Sequence, residues 1–322
     1  MTTDDPFKVL ETQPPVVSPD EAARVLELAY GRRGELKPLR SERDLNFGVT
    51  GENTERFVLK FSNSAEAPSI SRLQANALLH IERVAPELPV PRNLATSDGN
   101  VLASFVAEDG RRHAVRLLSW LDGVPVDETD HAPRAASTLG DCLARVGKAL
   151  HTFDDPAADY ALLWDLKNAA SLANLLGNLD DKALRALCAD ALTRFEEIVL
   201  PRLDTLRWQI IHNDLNPGNV LVEPGSGRLA GIIDFGDIVR SPLVVDVAVA
   251  CAYLLRDGDD TLADIRAFVA AYSAVRPLAD DETAILFDLV RTRLAMTILI
   301  ARWRAARYPE NRDYILCSEP EA

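Results

Sequence analysis

The sequence is poor in cysteine, and it has no run of apolar residues long enough to cross a membrane. Its four cysteines form no C-x-x-C pair, which excludes the zinc and thiol redox motifs built on that spacing. The most apolar run, 243–255, is shorter than the roughly 20 residues of a transmembrane helix and contains Asp246. The first residues, 1–6, are acidic and polar, so no secretory signal is expected. We therefore expect a cytoplasmic protein with free thiols and no membrane association.

Basic residues are scarce relative to acidic ones. The 35 Lys and Arg residues are outnumbered by 49 Asp and Glu residues, which gives a formal net charge of -14. Because a strongly acidic protein repels a phosphate backbone, nucleic-acid binding is not expected. The charge is compatible with a cationic small-molecule substrate. The 47% hydrophobic and 26% charged residues are typical of a globular enzyme.

The glycine-rich motifs of two common nucleotide-binding folds are also absent. No G-x-x-x-x-G-K-[ST] sequence is present, which excludes a P-loop kinase. Gly225-Ser226-Gly227 lacks the third glycine of a dinucleotide-binding loop, so we interpret it as a hairpin turn.

The order of predicted helices and strands indicates a two-lobed α+β protein. Ser18-Pro19-Asp20-Glu21 has the residues of a helix start with a capping box, and the spacing over 69–84 predicts a helix with one apolar side. Short strand patterns surround that helix, and from about residue 130 the chain is rich in helical patterns. The predicted organisation is an extended leader over 1–17, an N-terminal lobe over 18–119, a hinge over 120–123 and a C-terminal lobe over 124–322.

The densest group of chemically useful side chains lies between residues 208 and 237. An apolar strand precedes His212-Asn213-Asp214, and a β-hairpin separates Asn219 from Asp234. The pattern is H-x-D-x-x-x-x-N followed by I-D-F-G-D. Because the hairpin returns the chain, we expect Asn219 and Asp234 to lie side by side, where their oxygens suit Mg²⁺. Asp214 then remains available to accept or orient the proton of a hydroxyl group.

This pair of motifs resembles the catalytic and metal-binding loops of the aminoglycoside phosphotransferase and choline kinase family, which has the protein-kinase-like fold. Two other segments, E-R-D-x-N-F at 42–47 and V-L-K-F-S-N at 58–63, resemble the hydroxylysine kinase branch of that family. The resemblance implies an N-terminal lobe with an antiparallel sheet and one helix, and a mainly helical C-terminal lobe. It also implies that ATP and Mg²⁺ are used to phosphorylate a hydroxyl group on a small molecule.

The resemblance implies roles for individual residues at the nucleotide. Asp214 is expected to be the catalytic carboxylate, Asn219 and Asp234 the metal ligands, and Lys60 the cation that binds the α- and β-phosphates. The other residues expected at the nucleotide are Ser41 and Asn46 in the loop over the phosphates, Ser119 and Leu121 at the adenine through their backbones, and Gln74 beside Lys60.

Gln74 stands where related kinases place a glutamate that pairs with the lysine. A neutral amide can hold an ammonium group only through a hydrogen bond, so Glu66 and Glu82 remain alternative partners for Lys60. Outside the nucleotide, the resemblance assigns structural support of the catalytic loop to His212 and Asp246. Asp237 is the tentative contact for a substrate amine.

The substrate expected first is a hydroxylated amino acid or amino alcohol that carries an amine, with 5-hydroxylysine as the leading example. Aminoglycosides, homoserine, choline and ethanolamine stay open as alternatives, because specificity lies in the variable helices. A catalytically silent nucleotide-binding module is the alternative from another class, but it would be expected to lack one of the four residues Lys60, Asp214, Asn219 and Asp234. Some bacterial relatives are fused to an aminotransferase-like enzyme, which leaves a fusion to, or partnership with, such an enzyme open.

Overall fold

The fold is described by a computed structural model for residues 7–41, 43–129, 132–255, 260–309 and 312–316. The helices in these ranges are α1 (Lys8–Glu11), α2 (Pro19–Tyr30), α3 (Pro68–Val84), α4 (Ala132–Leu150), α5 (Lys182–Arg194), α6 (Leu243–Ala252), α7 (Ala263–Val275), α8 (Asp280–Arg307) and α9 (Arg312–Leu316). The strands are β1 (Gly34–Leu39), β2 (Leu45–Gly51), β3 (Arg56–Phe61), β4 (Asn93–Leu94), β5 (Ala103–Val106), β6 (Arg112–Ser119), β7 (Val124–Pro125), β8 (Trp208–Ile211), β9 (Val220–Val222), β10 (Leu229–Ile232) and β11 (Val239–Pro242).

The chain folds as two compact units, each assembled from three segments. The first unit contains Met1–Thr129, Ala149–Ala161 and Gly218–Ile238, and the second contains Asp130–Lys148, Leu162–Pro217 and Val239–Ala322. This division differs from the predicted lobes, which assigned everything after residue 124 to one lobe. The hairpin of β9 and β10 belongs to the first unit because β9 pairs with β7.

The described part of the predicted leader contains one short helix. Within the predicted leader, residues 8–11 form α1, whereas residues 1–6 lie outside the described residues. Ser18 then begins α2 with the predicted capping box, in which its hydroxyl accepts the backbone N–H of Glu21 at 3.2 Å.

A six-stranded antiparallel sheet forms the centre of the first unit, with the strand order β1-β2-β3-β6-β4 and with β5 on β6. Leu59 and Phe61 pack into a core with α2, whose Leu26 is fully buried there. Side chains alternate along a strand, so Lys60 projects from the opposite face of β3. In the pairing of β2 with β3, Lys60 lies opposite Asn46.

The helix predicted over 69–84 is confirmed as α3, which spans Pro68–Val84 in the first unit. The apolar residues on one side of it, among them Leu73 and Ile81, are buried. The helix contacts β6 and the short 3₁₀ turn Phe235–Asp237. This packing places Gln74, which is also fully buried, against the turn that follows the β9–β10 hairpin.

The second unit is built around α6 and α8. Every residue of α6 is buried, and α8 packs along it. The two-stranded pairing of β8 with β11, in which Ile211 lies opposite Val239, fixes the chain just before His212. No helix in the described ranges is long and apolar enough to cross a membrane. The predicted α+β class, with an antiparallel sheet in one part and helices in the other, is confirmed.

Candidate functional site

Lys60 lies on β3 with its ammonium group between two carboxylates of the first unit. Its Nζ is 2.9 Å from Oδ2 of Asp44 and 3.3 Å from Oδ1 of Asp234. The lysine side chain is 7% exposed. Burial alone would lower the pKa of Lys60, but the negative charges of Asp234 and Asp44 outweigh it and raise the pKa above the ordinary lysine value. Lys60 is therefore a fixed buried cation.

Asp44 was not among the residues singled out from the sequence. Its side chain is 3% exposed, and its Oδ1 accepts the backbone N–H of Asn63 at 2.9 Å. Burial would raise the pKa of Asp44, but the charges of Lys60 and Arg43 lower it below its ordinary value. Asp44 is thus an ionised partner of Lys60. The available signal was the Arg-Asp dipeptide inside the E-R-D-x-N-F segment, directly before a buried strand.

The predicted hydrogen bond between Gln74 and Lys60 is not present. Gln74 donates through Nε2 to the carbonyl oxygen of Gly236 at 2.8 Å and to Glu66 at 3.3 Å, and its Oε1 has no hydrogen-bond partner among the described residues. Neither Glu66 nor Glu82 pairs with Lys60 in the described ranges. The physical reason is that a buried ammonium needs compensating charge, which Asp44 supplies and a neutral amide does not.

Asn219 and Asp234 stand at the ends of β9 and β10. The backbone N–H of Ile233 donates to the carbonyl oxygen of Asn219 at 2.9 Å, so the chain brings the two residues alongside each other as expected. Asp234 has a left-handed backbone, with φ of 58°, and its Oδ1 accepts the N–H of Gly236 at 3.0 Å. The side chain of Asp234 is 43% exposed.

The charge around Asp234 favours its ionised form. Partial desolvation would raise the pKa of Asp234, but Lys60 and Arg43 lower it well below the ordinary value of an aspartate. A carboxylate and an amide oxygen, neither fully buried, fit a hard cation that takes its other ligands from phosphates and water. No group of three or more His, Cys, Asp or Glu residues suited to a metal is found within the described part of the chain.

Asp237 does not offer a free carboxylate to a substrate amine. It is buried, and its Oδ1 is 2.7 Å from a guanidinium nitrogen of Arg43. The same nitrogen of Arg43 donates to the carbonyl oxygen of Gly236 at 2.9 Å. Burial would lower the pKa of Arg43, but Asp237 and Asp44 raise it well above the ordinary value. Asp237 therefore forms an ion pair within the first unit with Arg43, which is partly buried, and does not present an unpaired carboxylate to a substrate amine.

Gly236 has no room for a side chain between these groups. A Cβ built there would lie 2.8 Å from Oδ1 of Asp234 and 2.9 Å from the guanidinium of Arg43. Both distances are shorter than a van der Waals contact, so a side chain here would displace the carboxylate of Asp234 and the guanidinium of Arg43.

The remaining residues expected at the nucleotide also lie in the first unit. Asn46 is on β2, and its side-chain oxygen is buried without a hydrogen-bond partner in the described ranges. Ser41 is half-buried, and the next residue lies outside the described residues. Ser119 ends β6, where its hydroxyl accepts the N–H of Arg92 at 2.8 Å. Leu121 lies close to β10, since a Cβ on Gly231 would be 2.7 Å from its side chain.

Asp214 lies in the second unit, just after β8. Its Oδ1 accepts Nδ2 of Asn216 at 3.0 Å and is 3.5 Å from a guanidinium nitrogen of Arg293. The side chain of Asp214 is 22% exposed, so the carboxylate is accessible from solvent while it contacts Arg293.

Arg293 was missed in the sequence. Its side chain is only 2% exposed. Its guanidinium carbon lies 5.0 Å from the centre of the Trp164 ring and 5.7 Å from that of the Tyr253 ring, and one nitrogen donates to the carbonyl oxygen of Trp164 at 3.0 Å. These contacts fix the cation beside Asp214. The available signal was the pair of arginines, Arg291 and Arg293, within the mostly apolar stretch 289–301 of α8.

Asp246 on α6 holds the backbone of the loop that carries Asp214. Its carboxylate accepts the N–H of Asn213 at 2.8 Å and the N–H of His212 at 3.3 Å. Asn213 has a left-handed backbone, with φ of 65°, which turns the chain toward Asp214. Burial raises the pKa of Asp246, although His212 and the two N–H groups act in the opposite direction. The N–H of Asp214 in turn donates to Nδ1 of His212 at 3.3 Å.

The known proteins that this chain resembles are kinases and other phosphotransferases. The model of the phosphotransferase enzyme family matches residues 35–282. Hydroxylysine kinase of Xenopus laevis is 28% identical over 329 residues, which cover 95% of this chain and 88% of that protein. Homoserine kinase of Methylobacillus flagellatus is 28% identical over 280 residues, covering 85% and 81%. The structure of an amicoumacin kinase with AMP-PNP and Ca²⁺ matches with a TM-score of 0.71 at 14% identity, covering 94% and 95%, which confirms the protein-kinase-like fold.

Removal of the Asp246 carboxylate tests how far the loop depends on it. We expect Asp246→Ala to lower the free energy of unfolding by about 2 kcal/mol or more, because two buried N–H groups would lose their acceptor. Chemical denaturation measures the change. The matched control is Asp141→Ala, which removes an exposed carboxylate paired with Arg145 and should cost less than about 0.5 kcal/mol. Equal stability losses in the two variants would contradict the supporting role of Asp246.

Proposed function

Because the chain belongs to the phosphotransferase enzyme family, whose members phosphorylate hydroxyl groups on small molecules, we propose that it is a kinase for a hydroxylated amino acid or amino alcohol, with 5-hydroxylysine first. The observation that carries the proposal is the similarity to hydroxylysine kinase over nearly the whole of both chains. Phosphate transfer to the side-chain hydroxyl of such an amino acid would use ATP as the donor. The proposal therefore requires a nucleotide-binding part and a carboxylate that handles the hydroxyl.

The first unit supplies the groups for the nucleotide. Lys60 would bind phosphate oxygens of ATP, since it is a buried cation whose protonation is maintained by its neighbours. Asn219 and Asp234 would hold Mg²⁺, which when bound neutralises charge on the triphosphate. Asn46 lies opposite Lys60 in the pairing of β2 with β3, and its side-chain oxygen, which has no hydrogen-bond partner among the described residues, is a further polar group near the lysine.

Asp214 would accept or orient the proton of the substrate hydroxyl. An aspartate carboxylate must be ionised for that role, and Arg293 favours the ionised form by its charge. Asn216 uses one lone pair of the same oxygen, which restricts the rotation of the carboxylate. These contacts orient Asp214 before the substrate binds, as general acid–base chemistry requires.

Homoserine is the second candidate substrate, because homoserine kinase of Methylobacillus flagellatus is also similar over most of its length. Homoserine and 5-hydroxylysine are both α-amino acids with a side-chain hydroxyl, so recognition of the amino acid end would be shared. Their difference lies in chain length and in the ε-amine of hydroxylysine. Because Asp237 is paired with Arg43, that amine would have to bind another acidic group. A catalytically silent module is disfavoured, since Lys60, Asp214, Asn219 and Asp234 are all present.

An acceptor panel tests the proposed substrate. The purified chain is supplied with ATP and Mg²⁺, and ADP formation is measured with 5-hydroxylysine, homoserine, ethanolamine, choline and an aminoglycoside. We expect the highest kcat/KM with 5-hydroxylysine and no turnover with lysine, which differs from it only by the missing hydroxyl. A higher kcat/KM with homoserine than with 5-hydroxylysine would make homoserine the preferred substrate. Nucleotide binding without turnover on any acceptor would support a catalytically silent module.

Asp214→Asn tests the proposed catalytic carboxylate. We expect the variant to lose about 10²- to 10⁴-fold in kcat, which is the usual contribution of a general base, while its affinity for ATP stays close to that of the wild type. Turnover and nucleotide titration are measured on the same preparation. Asp141→Asn, at an exposed position on α4 of the same unit, is the control and should keep full turnover. Near-normal turnover of Asp214→Asn would exclude the assignment.

The metal role is tested by the dependence of turnover on Mg²⁺ concentration. Asp234→Ala should raise the Mg²⁺ concentration for half-maximal turnover by more than about tenfold, because it removes an anionic oxygen ligand. Asn219→Ala should raise it less, because the ligand lost is neutral. An unchanged Mg²⁺ dependence in both variants would contradict the assignment of these residues to the metal.

A further inference from the structure

The ammonium of Lys60 has two carboxylate neighbours that differ in accessibility. The side chain of Asp44 is 3% exposed, whereas that of Asp234 is 43% exposed. Under the proposed function, Asp234 is committed to a metal ion, and its negative charge is then shared with that ion. Asp44 is the other carboxylate that pairs with Lys60 among the described residues. A buried lysine with no counter-charge would be strongly destabilised, so Asp44 is the carboxylate that stabilises the Lys60 ammonium independently of the metal.

From this geometry we propose that Asp44 is the positioning residue that orients Lys60 toward the phosphates, the place that a helix glutamate takes in related kinases. The inference rests on the proposed nucleotide-binding role of Lys60. Asp44 acts through Lys60 and does not itself contact the substrate. Its carboxylate lies 2.9 Å from Nζ, which is an ion-pair distance with a charge-assisted hydrogen bond.

Asp44 is held rigidly enough to orient a flexible side chain. One of its oxygens accepts the backbone N–H of Asn63 at 2.9 Å, and the other faces Lys60. Asn63 is itself fixed, because its side-chain amide donates to the carbonyl oxygen of Arg43 at 3.0 Å. Arg43 and Asp44 are thereby connected to the segment that follows β3. Lysine has several rotatable bonds, and an immobile partner restricts them at low entropic cost.

Gln74 is not equipped for the same task. It is neutral, and its Nε2 already donates to the carbonyl oxygen of Gly236 and to Glu66. An amide oxygen could accept from Lys60 but could not compensate its charge. The structure thus uses Gln74 to hold the turn after Asp234, while Asp44 serves the ammonium.

The position of Asp44 on a loop has a mechanical consequence. The adjacent Arg43 binds the carbonyl oxygen of Gly236 and the carboxylate of Asp237. Residues 43 and 44 therefore connect the segment expected over the phosphates to Lys60 on one side and to the turn after Asp234 on the other. A displacement of residues 43 and 44 would therefore also move the carboxylate that pairs with Lys60.

The test is the affinity for AMP-PNP in the presence of Mg²⁺, measured by calorimetry, which needs no acceptor. We expect Asp44→Asn to weaken binding by about ten- to a hundredfold, the usual effect of losing a charged hydrogen-bond partner. Asp44→Glu retains the charge and should recover part of the affinity. Asp109→Asn is the matched control, because it removes an exposed carboxylate of the same unit that pairs only with Arg111 among the described residues, and it should bind within about threefold of the wild type. Unchanged affinity in Asp44→Asn, or an equal loss in Asp109→Asn, would overturn the inference.

A double-mutant cycle distinguishes an action through Lys60 from a general effect on the fold. On a Lys60→Met background, Asp44→Asn should cause no further loss of affinity, because the group that it orients is gone. The double variant also lacks the buried pair as a whole, so it should fold even if Asp44→Asn alone does not. A further tenfold loss on that background would overturn the positioning role. Absence of AMP-PNP binding by the wild type would instead refute the proposed function itself.

Discussion

The arrangement of the first unit depends on one buried ammonium group. Lys60 cannot lie on an inner strand without opposite charge close by, and Asp44 and Asp234 provide it. That requirement fixes the loop before β2 and the turn after β10 relative to β3. A second ion pair joins the same two segments: Arg43, the residue before Asp44, lies 2.7 Å from Asp237, three residues after Asp234. The result is an alternating set of charges in which every member is stabilised by neighbours of opposite sign.

In the second unit the loop after β8 holds the partly exposed carboxylate of Asp214 in place. Asp246 binds two backbone N–H groups of that loop, and Arg293 lies beside the carboxylate of Asp214 itself. The arginine is buried between aromatic rings, so its position depends on packing as much as on charge. A catalytic carboxylate supported in this way needs little reorganisation when a hydroxyl group approaches.

Local features of the sequence predicted much of this arrangement. The hairpin that brings Asn219 beside Asp234 depends only on short-range turns, and α3 follows from its apolar spacing. The Lys60 partner could not be predicted in the same way. It depends on the register of β2 on β3, which places Asn46 opposite Lys60 and hence Asp44 within reach. The contact between Asp214 and Arg293 could not be predicted either, because Arg293 lies on α8, far from Asp214 in the sequence although close to it in the second unit.

Gly236 shows how these constraints limit sequence change. A single methyl group at this position would collide with both Asp234 and Arg43, and the glycine carbonyl oxygen accepts hydrogen bonds from Arg43 and Gln74. A substitution at any one of these positions therefore alters the surroundings of the others. We therefore expect epistasis among these four residues in evolution, so that a change at one position is accepted only with changes at the others. Differences in substrate preference between relatives should accordingly accumulate elsewhere, at positions that can change one at a time.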